Sequence, residues 1–156
     1  MKYRKGYVPL NLANANSVVE EHIRSRRFSF LGKRKNIQRE KYIDGYKSDL
    51  YISDTDTIVE IKSILSFESK AIFPTVFSER ANHQLKSLKM LLEKGHKVCY
   101  MFIAMYSGTK SISVNEQQAE YVELFSECMQ KGMVVCAFSL CMSNGIPFIK
   151  TKVKFE

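Results

Sequence analysis

The stretch KSDLYISDTDTIVEIKS, residues 47–63, decides the fold. It holds two runs of strand character, 49–52 and 57–62, separated by the polar turn 53–56. The second run is almost wholly apolar, as a central strand covered on both faces must be, except for Glu60 and Lys62. Side chains in a strand alternate faces. Glu60 and Lys62 therefore point the same way, about 7 Å apart along the chain, together with Ile58 and Ile64, while Val59 and Ile61 take the other face. An antiparallel neighbour over 48–53 brings Asp49 to the same spot as Glu60. Two carboxylates about 4 Å apart repel by about 4 kcal/mol at a typical effective dielectric. The centre of a sheet tolerates that only with a counter-charge. Either Lys62 pairs with one acid as a structural salt bridge, or a divalent cation joins both, and all-oxygen ligands favour Mg²⁺ or Mn²⁺. Spacing leaves both readings open.

Working outward, Asn16 is placed to cap a helix over 17–30, with Val19, Ile23 and Phe30 on its apolar stripe. The runs 37–43 and 48–53 alternate like neighbouring strands around the turn Asp44-Gly45-Tyr46-Lys47. A loop through Phe73-Pro74 leads to a second helix, capped by Ser78, running to position 94 and stopped by Gly95. Its stripe is Ala81, Leu85, Leu88 and Leu92. A buried strand over 97–105, a polar connection over 106–115 and a helix over 116–130 follow. A strand over 133–142 is next, and 146–155 pairs with it across Asn144-Gly145. This order gives an α/β sandwich around a central mixed sheet flanked by helices, antiparallel first and parallel through crossovers later.

The chain of 156 residues suits one domain, 1–156, with a real core. No apolar run is long enough to span a bilayer, and no apolar segment backs the basic N-terminus as in a signal peptide. Four cysteines lack metal-site spacing and read as reduced thiols of a cytoplasmic protein. The net charge of +8 is uneven. Residues 1–47 hold twelve Lys/Arg against four acids, and the remainder holds twelve of each. Such a segment is either a solvated basic face or a polyanion-binding surface, because clustered Lys/Arg displace counterions from a phosphate backbone.

Asp49 followed across a turn by Glu60-Ile61-Lys62 resembles the PD-(D/E)xK nuclease pattern. The flanking stretches NLANANSVVEEHI (11–23), REKYIDGYKSDLYI (39–52), VEIKSI (59–64), AIFPTVFSERANHQLKSL (71–88) and YVELFSECMQKGMVV (121–135) come in order. Together they are similar to one member family, the sugar fermentation stimulation proteins (SfsA), over roughly residues 10–142. The resemblance implies a restriction-endonuclease-like fold and metal-dependent hydrolysis of phosphodiester bonds in DNA or RNA. It implies Asp49 and Glu60 as ligands of Mg²⁺ or Mn²⁺, with the Ile61 carbonyl a third. Lys62 would orient or help deprotonate the attacking water and steady charge on the phosphate. Glu20 is a further candidate ligand, because nucleases of this fold often carry an acid on the first helix. Its plain reading is a first-turn acid favoured by the helix dipole. Arg80 and Gln84, one turn apart on the second helix, are candidates for phosphate and water contacts. Lys47, just ahead of Asp49, stands where the family shows a basic residue, and with Arg39 and Lys41 forms the candidate nucleic-acid-binding set. His83 reads as exposed, and Glu40 as support for the metal site or a partner of a neighbouring cation.

The chain departs from the family at Thr75, where an acid normally follows Phe-Pro, and in lacking an N-terminal OB-like domain. The basic segment over 2–47 is placed to substitute for that surface, and a homodimer is a further expected arrangement. The competing function is a non-catalytic nucleic-acid-binding protein or regulator that kept the fold.

Overall fold

A computed structural model describes residues 2–3, 6–7, 14–25, 28–32 and 34–156. Several residues counted above lie outside the described ones: Arg4, Lys5, Arg26, Arg27 and Lys33 of the basic segment, and Asn11 to Ala13 of the first motif.

A two-stranded antiparallel ribbon, β1 (Lys2–Tyr3) and β2 (Gly6–Tyr7), comes first. Helix α1 (Asn14–Arg24) follows, then a short 3₁₀ turn over Ser29–Leu31. The helix ends six residues earlier than its periodicity predicts, and Asn16 lies inside it rather than capping it. Phe28 is buried in place of the expected Phe30, which is half exposed. Next are β3 (Ile37–Arg39), β4 (Tyr42–Ile43), β5 (Tyr46–Lys47), β6 (Leu50–Ile52) and β7 (Thr57–Ile64). Positive φ at Glu40 (50°) breaks the expected strand over 37–43 into β3 and β4. Asp44 and Gly45, at φ 47° and 82°, turn β4 onto β5 as a two-residue left-handed loop.

After β7 come β8 (Lys70–Phe73), α2 (Glu79–Glu93), β9 (Lys97–Ala104), β10 (Ser111–Val114) and α3 (Ala119–Gln130). The chain closes with β11 (Val134–Ser143), β12 (Ile146–Lys152) and β13 (Lys154–Phe155). β8 and β10 lie where the sequence suggested connections. Each is four residues long and they pair with each other in parallel, so neither carries a long enough pattern of its own to be read in isolation.

The main sheet has the order β12-β11-β9-β7-β6-β3. β3–β6–β7 is antiparallel, β7–β9–β11 parallel, and β12 returns antiparallel to β11. This is the expected mixed sheet, antiparallel first and parallel later. Its two faces bury separate cores. Val19 and Ile23 of α1 pack with Leu50, Val59, Ile61, Met101 and Ile103 on one side. Leu85 and Leu88 of α2 and Tyr121 and Phe125 of α3 pack with Ile58, Tyr100 and Phe102 on the other. Glu60 and Lys62 share the parity of Ile58, so they project toward α2, between sheet and helix.

Candidate metal and phosphate site

β7 is eight residues long, but β6 covers only its first part, ending with the pair Leu50↔Val59. Beyond that pair the chain before β6 leaves the ladder: Ser48 N–H donates to the Lys41 carbonyl (2.9 Å) and Glu40 N–H to the Asp49 carbonyl (3.0 Å). The edge of β7 is thereby opened, and the Asp49 carboxylate fills it. Asp49 Oδ2 accepts from the Ile61 N–H at 2.7 Å, and Oδ1 accepts from the Asn16 side chain of α1 at 3.3 Å. A strand residue sends its N–H and C=O to the same side, so the Ile61 carbonyl faces this opening too.

Glu60 is 2% exposed, and both of its oxygens accept hydrogen bonds. Oε1 takes the Lys62 ammonium at 2.7 Å, and Oε2 takes the Tyr46 hydroxyl. Lys62 Nζ also donates to Gln84 Oε1 and stands 6.0 Å from the centroid of the Tyr100 ring. The Tyr100 hydroxyl in turn lies 2.9 Å from that of Tyr121. Three sequence candidates, Glu60, Lys62 and Gln84, thus form one chain of hydrogen bonds from the sheet to α2.

Burial, and next the nearby charge of Glu60, push the Asp49 carboxyl up to about 6, although the Ile61 N–H, Lys62 and Asn16 pull the other way. Burial, then the charge of Glu60, hold the Tyr46 hydroxyl far above the ordinary phenol range. Asp49 and Glu60 are therefore a like-charged pair only partly compensated by Lys62, and that residual repulsion suits a cation. The donors, two carboxylates and a backbone carbonyl, are all oxygen and fit a hard divalent ion. Among the described residues no cluster of three His, Cys, Asp or Glu gathers as a ligand set, so the carboxylate pair needs the carbonyl and solvent to complete a shell.

A cleft of about 860 Å³ opens in front of Asp49, lined among others by Tyr46, Lys47, Asp49, Arg80, His83 and Gln84, with the buried Glu60 outside its lining. Lys47 pairs with Glu40 at 2.8 Å on the exposed rim, and Arg80 and His83 are exposed, His83 as expected. The remaining candidates lie elsewhere. Glu20 is buried with both oxygens taken by guanidinium groups, from Arg24 (2.8 and 3.0 Å) and from Arg39. Burial alone would raise its carboxyl, but Arg39 and Arg24 outweigh that and hold it low. Asn16, one turn earlier on α1, is the helix residue that reaches Asp49. Arg39 is occupied by Glu20, and Lys41 is exposed and outside the cleft lining.

Sequence reasoning missed two members of the site. Asn16 was read as a cap. Tyr46, expected in a turn, belongs to β5, and only the left-handed Asp44-Gly45 loop brings it back against β7.

The sheet order, its two helical layers and the splayed strand pair define a restriction-endonuclease-like α/β domain. A family model, "Sugar fermentation stimulation protein RE domain", matches residues 13–145. The chain belongs to the sugar fermentation stimulation protein family. A Shewanella pealeana "Sugar fermentation stimulation protein homolog" is 30% identical over 139 residues, covering 85% of this chain and 59% of the homologue. One from Shewanella piezotolerans is 27% identical over 143 residues, covering 87% and 61%. The chain thus spans about three-fifths of the length of these relatives. Its fold matches "The structure of Pyrococcus Furiosus SfsA in complex with Ca2+" with a TM-score of 0.86 and 19% identity, over 100% of this chain and 70% of that one.

Proposed function

We propose that the protein is a metal-dependent nuclease that hydrolyses phosphodiester bonds in DNA or RNA. The observation that carries this reading is that Asp49, bound to the Ile61 N–H where β6 leaves β7 and within the field of the buried Glu60–Lys62 pair, lines a cleft together with Lys47 and Arg80. Asp49 and Glu60, with the Ile61 carbonyl, would hold Mg²⁺ or Mn²⁺. The Ca²⁺ named for the Pyrococcus furiosus protein is consistent with a divalent ion in this fold. When bound, such an ion supplies Lewis acidity and lowers the pKa of water towards about 7. Glu20 is left out of the proposed set because its oxygens are already neutralised by two arginines.

The chain's own groups do the rest. Lys62, fixed between Glu60 and Gln84, presents a rigid ammonium to the developing phosphate charge and to the attacking water. Gln84 has amide capacity beyond its bond to Lys62 with which to orient that water. Lys47 and Arg80, both lining the cleft, meet the flanking phosphates. No helix among the described residues is long and apolar enough to cross a membrane. Work in the cytoplasm is part of the same reading, with four free cysteines, two of which, Cys99 and Cys136, share a thiol hydrogen bond at 3.9 Å and no disulfide.

The test is incubation of pure protein with labelled single- and double-stranded DNA in Mg²⁺, Mn²⁺ or EDTA. Cleavage that requires metal and vanishes in Lys62→Ala is the expected result. Retarded but intact DNA, unaltered by Asp49→Ala, would replace the enzyme with the binding protein that the net charge of +8 also suits.

A further inference from the structure

We propose that Tyr46 is the positioning residue of the metal site: its hydroxyl fixes the Glu60 carboxylate so that free lone pairs stay directed at a cation shared with Asp49. This rests on Asp49 and Glu60 being the ligands. A carboxylate offers about four lone-pair sites on two oxygens. In Glu60 the Lys62 ammonium occupies one on Oε1, and the Tyr46 hydroxyl occupies one on Oε2. The last torsion of a glutamate is broad and roughly two-fold, so one donor alone does not fix the plane of the group. Two donors on opposite oxygens do. Tyr46 is the only hydrogen-bond donor to Oε2 among the described residues.

A phenol suits the task. It is neutral at pH 7, so it orients the carboxylate without cancelling the charge a cation needs, as a second lysine would. Its own placement is built into the fold. Tyr46 is 9% exposed and belongs to β5, whose left-handed loop with β4 is tethered at Asp44 by Lys94 (3.3 Å). The next residue, Lys47, stands on the cleft rim. One short ribbon therefore delivers a group that holds a ligand and a group that faces phosphate. Ligating carboxylates depend on such partners, whose loss costs 10- to 100-fold in metal affinity.

Calorimetric titration of the full chain with Ca²⁺, compared with Tyr46→Phe, Asp49→Asn and Tyr51→Phe, tests the assignment. Tyr46→Phe should weaken Ca²⁺ binding about 10- to 100-fold, and Asp49→Asn should abolish it. Tyr51→Phe loses a bond of the same kind, to Asp56 at 2.7 Å outside the cleft lining, and should leave binding unchanged. If Tyr46→Phe binds as wild type while Asp49→Asn does not bind, the role of Tyr46 is refuted and the ligand pair stands. If wild type does not bind, or Asp49→Asn binds equally well, the ligand pair itself fails. Should Tyr46→Phe not fold, wild type carrying 3-fluorotyrosine supplies the second measurement. A fluorine resonance should shift with the calorimetric affinity as Ca²⁺ is added, and no movement at saturation overturns the proposal.

Discussion

Asp49 titrates against the fold. Its carboxyl is near 3.8 in the unfolded chain and pushed up to about 6 in the folded one. Below the lower value both states carry the proton and the group costs nothing. Between the two the folded state keeps a proton that the unfolded state has lost, so stability falls as pH rises. Above the upper value the cost is complete, about 3 kcal/mol at 1.36 kcal/mol per pH unit. Asp49→Asn should therefore melt above wild type in EDTA at pH 7.5, with a lead that shrinks towards pH 4 in differential scanning. A constant or reversed difference would remove the strain assigned to this residue. Lys62 makes the opposite contribution, since its removal leaves the buried Glu60 charge without its ammonium. Lys62→Met should cost about 3–5 kcal/mol by urea unfolding, and adding Glu60→Gln should recover most of it. That measurement also separates lost chemistry from lost folding in the cleavage assay.

At the scale of elements, α2 is the platform for Arg80 and Gln84, and its N-terminus sets their height above the sheet. Ser78, in extended conformation, accepts the Ala81 N–H at 3.1 Å, while Leu85 and Leu88 anchor the buried face. Ser78→Ala should cost about 1 kcal/mol, a melting temperature lower by about 2–4 °C for a chain of this size. Ca²⁺ affinity should be unchanged, because neither Asp49 nor Glu60 lies on this helix. α2 was readable because caps and a 3.6-residue stripe are local signals, although Leu91 rather than Leu92 completes its buried face. β8 and β10 were not, because each is stabilised by pairing with the other across some forty residues of chain.

For the whole molecule, charge governs encounter with a polyanion. Each Lys or Arg that neutralises a duplex phosphate contributes about 0.9 to the slope of log K against log salt. Anisotropy titrations of labelled duplex over a KCl series should lose about one slope unit in Lys47→Ala and in Arg80→Ala, and about two in the double variant. Arg39→Ala should change the slope little, because that guanidinium neutralises the buried Glu20, whereas the Glu40 partner of Lys47 is exposed and gives way to a phosphate. An equal loss for Arg39 would move the binding face from the cleft to the α1 side of the sheet.

By itself the sequence determined the order of the major elements and the buried parity of β7, because alternation and helical periodicity are local consequences of backbone geometry. It also determined that Glu60 and Lys62 share a face, whereas the Asp49 carboxylate sits on the edge of β7, held by the Ile61 N–H and by Asn16 of α1. Only the tertiary structure decided that Glu20 is consumed by two arginines, that Asn16 reaches Asp49, and that a tyrosine closes on Glu60. Those contacts join residues 14 to 33 positions apart, or bind a side chain to whichever neighbour wins a competition among several cations. Such outcomes depend on distances that exist only after the sheet has formed.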